Sequence, residues 1–69
     1  MSWHSTARRE ELLLALLGRV DVEVRRSLRR VHRVRLKAGW CAFLPQQTLH
    51  RVMNRSITEA RYIYVTASP

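Results

Sequence analysis

Apolar and polar residues alternate with a period of two along much of this 69-residue chain. Val20, Val22 and Val24 alternate with Asp21 and Glu23, and His32, Val34 and Leu36 alternate with Arg33, Arg35 and Lys37. Side chains of a strand point to opposite faces in turn, so each run predicts a strand with one face in a core. The segment between them, Arg25 to Leu28, is expected to be the turn, although it lacks the Asn-Gly or Asp-Gly of a tight hairpin. Trp40 to Leu44 is an apolar strand closed by Pro45. His50 to Asn54 is a short mixed stretch, Arg55 to Thr58 a turn, and Ala60 to Thr66 a run of β formers. Upstream, Leu12 to Leu17 are six consecutive apolar residues. Their composition suits a helix that Gly18 would terminate, whereas a strand buried on both faces explains the missing polar face equally well. Local reasoning leaves that segment open. Short strands at regular spacing otherwise predict an all-β sandwich or barrel.

The chain carries 13 Lys and Arg against 5 Asp and Glu, a formal charge of +8, yet 46% of its residues are hydrophobic, too many for a disordered segment. One cysteine, Cys41, excludes an intramolecular disulfide and a Cys-based zinc finger. No apolar run approaches the length that spans a bilayer, and the N-terminus lacks the features of a secretory signal. The expectation is one domain over residues 1–69, cytoplasmic, away from membranes, and small enough to need a partner. Seven of the cations fall between Arg25 and Lys37 with no acid among them. Such a stripe can contact phosphate, or can be the solvated face of a strand. Aromatic residues do not interleave with it, which places nucleic-acid binding behind the other readings.

Two spaced patterns bear on chemistry. From Gly39 the chain runs five residues to Pro45, one to Gln47, two to His50 and three to Asn54. Earlier, His4, Ser5 and Thr6 are followed by four residues, Glu11, six residues and Gly18. Residues 39–54 resemble the second motif of the cupins, with Gln47 where that family has glycine. Residues 4–18 resemble the first, with Thr6 in place of its second histidine and the leading glycine falling before Met1. The resemblance implies a small cupin-type jelly-roll β-barrel or sandwich, N-terminally truncated because the strands before the first motif are missing, and dimeric. It also implies that residues 11–17 form a strand, with Glu11, Leu13, Ala15 and Leu17 inward. Leu12, Leu14 and Leu16 would then face outward and need a second protomer to cover them.

Carried over position by position, the resemblance implies a metal site made of His4, Glu11 and His50, with Thr6 in the fourth ligand position. Two imidazoles and a carboxylate suit Fe(II), Mn(II), Zn(II) or Ni(II) and leave positions open. Arg8, Arg9 and Arg51 lie near these residues in sequence and would favour an anionic ligand, with Arg51 the expected clamp. The leading expectation is a minimal cupin that holds a divalent metal for a small anionic substrate. The alternative is a non-catalytic ligand-binding or scaffold domain, in which His50 is structural and Glu11 half of an ion pair. His32 belongs to a strand face, Cys41 and Met53 to the interior, and Trp3, Trp40, Phe43, Tyr62 and Tyr64 to packing or a pocket wall.

Overall fold

A computed structural model describes residues 3–68, so Met1, Ser2 and Pro69, at the ends of the expected 1–69 domain, lie outside the described residues. Seven strands account for most of it: β1 (His4–Ser5), β2 (Glu10–Leu17), β3 (Arg19–Ser27), β4 (Arg30–Lys37), β5 (Cys41–Leu44), β6 (Leu49–Met53) and β7 (Arg61–Ala67). They form two antiparallel sheets. One has the order β1-β6-β3-β4 and the other β5-β2-β7. The Leu12–Leu17 run is the central strand of the second sheet, paired on both sides, so tertiary pairing overrides its helical propensity. A core fills the space between the sheets: Leu13 and Ala15 from β2, Val20 and Val22 from β3, Leu36, Leu44 and Val52.

The all-β reading holds, whereas the jelly-roll barrel implied by the cupin resemblance does not form. Neither sheet closes on itself: β1 and β4 are the edges of one, β5 and β7 of the other. The reason lies in the strands that would have to complete a ladder. β1 has two residues and β5 four, too short to bridge the sheets, and β4 leaves its sheet at a corner around Gly39. At that corner the Gly39 amide donates to the Ala15 carbonyl and the Ala15 amide to the Trp40 carbonyl, which ties the turn to β2.

Alternation along β2 holds through Ala15 and then fails. Glu11, Leu13 and Ala15 are buried, but a bulge between Ala15 and Leu17 turns Leu17 outward, where it is half exposed. The hairpin from β3 to β4 is also later than expected. β3 runs on to Ser27 through a second bulge, and the turn is Leu28–Arg29.

Gly18 is fixed by two constraints at once. Its φ is +69°, and a Cβ there would collide with the carbonyl oxygen of Glu59. Gly18→Ala is therefore expected to destabilise by more than about 1–2 kcal/mol, the cost of left-handed backbone alone, and thermal unfolding measures it. Gly39 has a φ of +88° but open space around it, so the same change there carries only the backbone cost.

Candidate metal centre

The two sheets bring three side chains to one end of the core. His4 on β1 lies directly opposite His50 on β6, and non-adjacent sheet faces meet there, since Glu11 reaches in from β2 of the other sheet. Potential ligand atoms of His4, Glu11 and His50 all lie within 4.8 Å of one another. His50 and Glu11 are buried and His4 is exposed, so the cluster has one open side. The two imidazoles meet edge to face with centroids 4.2 Å apart.

His50 is the best-defined member. Its Nδ1 lies 3.0 Å from the Thr48 carbonyl oxygen. A carbonyl only accepts, so Nδ1 carries the hydrogen, and in the neutral ring Nε2 presents a lone pair. That Nε2 is 3.0 Å from Glu11 Oε2 but makes no hydrogen bond, and it is fully buried. With the ring neutral, two lone pairs face each other away from water, and a cation between them, a proton or a metal ion, removes the cost. A proton can fill that role for two groups. The third donor, His4, within the same 4.8 Å, is what a metal ion uses and a proton does not. The His50–Thr48 bond is also the contact by which metal-binding histidines usually fix their tautomer.

A cavity of about 220 Å³ opens onto the cluster, lined among others by His4, Ser5, Arg9, Glu11, Tyr64 and Thr66. Arg9, not Arg51, is the cation at this cavity. Arg51 faces the other side of its sheet, where its Nε donates to Glu23 and its guanidinium stacks on Trp3, 4.5 Å from the ring centroid. Thr6 is beside the cluster, and its hydroxyl is committed to the backbone: it donates to the Pro45 carbonyl at 2.8 Å and accepts from the Thr48 amide at 3.0 Å. These bonds clamp β1 against the turn before β6 and so set the position of His4. Gln47 in that turn has a φ of +56° and its amide donates to the Ala7 carbonyl. Left-handed backbone is the conformation glycine adopts without strain, which is why glycine would suit this position.

The outward side of the four-stranded sheet holds what the sequence reading did not foresee. Asp21 and Glu23, on the face of β3 away from the valines, are only 3% and 1% exposed. Glu23 accepts hydrogen bonds from Arg33, Arg51 and Arg55, and Asp21 from Arg35, with Arg55 close by. Strand register sets Arg33 and Arg51 on either side of Glu23, and Arg35 beside Asp21. The arginine stems cover the carboxylates while their heads reach water. Hydrogen bonds from Arg33 and Arg51 hold the Glu23 carboxyl down at about 2, against an ordinary 4.5. Arg33 and Arg35 fall opposite Glu23 and Asp21 only in the register set by the Leu28–Arg29 turn and the bulge before it, which the expected turn at Arg25 to Leu28 does not give. Two of the seven cations of the basic stripe, Arg33 and Arg35, are spent in this way. Arg26, Arg29 and Arg30 remain around the hairpin end together with His32. Cys41 is exposed, not interior, and Met53 lies half-buried on the arginine side, 3.5 Å from an Arg55 nitrogen.

No family model, no curated protein and no solved structure matches the chain. The cupin resemblance is therefore withdrawn along with the barrel. Its residues have local explanations: Gly18 and Gly39 sit at positive φ, and the Asn54 side chain bonds the Ser56 amide and the Thr58 carbonyl within a tight loop. Such turn residues recur wherever short antiparallel strands are joined, so their spacing reports hairpins, not kinship.

Among the described residues no helix is long and apolar enough to cross a membrane.

Proposed function

We propose that this protein binds one divalent transition-metal ion through His4, Glu11 and His50, and that the cavity beside it admits a small anionic ligand. The observation that carries the reading is the buried His50 Nε2, 3.0 Å from a carboxylate oxygen with no hydrogen bond to it. Two imidazole nitrogens and a carboxylate oxygen suit Fe(II), Mn(II), Zn(II) or Ni(II), and three protein donors leave coordination positions for ligand or water. A bound metal would supply Lewis acidity on the cavity side. The chain's own contribution is placement: Thr6 fixes His4, Thr48 fixes the tautomer of His50, and Arg9 offers a guanidinium to a carboxylate or phosphate. The reading does not choose between a catalyst and a ligand-binding module, because the same donors serve both.

Titration with Co(II), followed by visible absorption, tests the site. Wild-type protein is expected to develop ligand-field bands that saturate at one equivalent. His50→Ala and His4→Ala are expected to give only the weak spectrum of aqueous Co(II), while His32→Ala, on an exposed strand position, matches wild type. Unchanged spectra on adding protein would overturn the reading.

A further inference from the structure

We infer that the outer face of the β5-β2-β7 sheet is the interface of a homodimer, packed against the same face of a second copy. Strand register places Leu12 between Phe43 and Val65, and Leu14 between Cys41 and Ile63, all on the side away from the core. Leu12, Phe43 and Val65 are 42%, 58% and 59% exposed, and Leu16 and Ile63 are about as open. An apolar surface that runs across three strands is the kind of patch that marks an interaction site.

Several features point to a second copy as its cover. The charge of the chain, +8, lies mostly elsewhere: Arg33, Arg35, Arg51 and Arg55 are on the outer face of the opposite sheet, offset in part by Asp21 and Glu23, and Arg26, Arg29 and Arg30 surround its hairpin end. Pairing through the apolar sheets therefore sets the two basic faces farthest apart, so self-repulsion is least in this arrangement. Among the described residues, charge enters the apolar face only at its ends. Glu10 pairs with Ala67 at one end of the β2-β7 ladder, and Arg61, whose Nε also donates to Glu59 at 3.0 Å, pairs with Leu17 at the other. A two-fold axis lying between the sheets and across the strands brings each Glu10 toward Arg61 of the second copy. Self-complementarity of this kind is what a two-fold interface requires. The exposed apolar residues amount to roughly 500 Å² per chain, so the pair buries on the order of 1,000 Å², the lower bound for a specific interface. That is about a tenth of the 5160 Å² surface of the chain, a usual fraction for a small protomer. Facing sheets pack with interdigitating side chains about 10 Å apart, which the leucines and Phe43 can fill.

Sedimentation velocity at micromolar concentration is the test. The wild type is expected at twice the chain mass. Leu28→Glu, at the fully open hairpin end, is expected to remain there, and Leu12→Glu to sediment as a single chain. Because Leu12→Glu can also disturb folding, reaction of Cys41 with a thiol reagent in wild type gives an independent reading. Its rate is expected to be low where the protein is dimeric and to rise at least tenfold on dilution below the dissociation constant. A monomeric wild type, a Leu12→Glu dimer, or a Cys41 rate independent of concentration would each overturn the inference.

Discussion

Replacing Glu23 by alanine is expected to lower the stability of the protein by about 2–3 kcal/mol, more than any other single surface-side substitution in the four-stranded sheet. Glu23 is 1% exposed and takes hydrogen bonds from three arginines. Without it, Arg33, Arg51 and Arg55 converge on a space that holds no negative charge but Asp21, and they repel one another. The loss falls short of that for a fully buried pair because the arginine side chains are themselves 30–50% exposed and regain water. The same carboxylate makes stability depend on pH. Its folded value is held at about 2 against an ordinary 4.5. The contribution is therefore complete above pH 4.5 and is lost as pH falls toward 2, since protons then bind the unfolded chain first. Urea unfolding of wild type and Glu23→Gln across that window checks it. Wild type is expected to lose more stability than the variant, and parallel curves would show that the arginines contribute nothing through this group.

Zn(II) at about a hundredfold above its dissociation constant is expected to stabilise the folded chain by about 2.7 kcal/mol. In a domain of this size that corresponds to a rise in Tm on the order of 10–20 °C. The shift follows from the site being assembled only on folding: His4, Glu11 and His50 come from three strands in two sheets, and an unfolded chain does not hold them within 4.8 Å. His4→Ala gives the cleaner control. His4 is exposed, so the apo Tm is expected to fall less than in His50→Ala, while the Zn(II)-induced rise disappears. His50→Ala removes the rise too, but it also empties a fully buried position, so its apo Tm falls as well.

Much of the strand order was legible in the sequence, and the exceptions have identifiable causes. The valines of β3 and Leu36 of β4 face the core as their alternation requires. The Leu12–Leu17 segment could not be assigned locally because a central strand with one face in the core and one apolar outer face leaves no polar positions to count. Bulges after Ala15 and after Arg25 shifted Leu17 and the hairpin turn, and a bulge leaves no mark in the hydrophobic pattern. The burial of Glu23 and Asp21 was not legible, because alternation reports which side a residue faces, not what covers it. For the site, His4, Glu11 and His50 were singled out by a spacing that proves to encode turns, and the fold nonetheless sets them side by side. Arg51 was expected at the site from its place next to His50. Adjacent residues on a strand point to opposite faces, which sends Arg51 to Glu23 and leaves the cavity to Arg9.

The central claim is that this cluster holds a metal ion, and equilibrium dialysis against Zn(II) followed by elemental analysis tests it most directly. One equivalent of Zn(II) per chain in wild type, and none above background in His4→Ala or His50→Ala, is the expected result. A wild-type content no higher than that of the two variants would contradict the claim, and would leave Glu11 and His50 as a buried pair bridged by a proton.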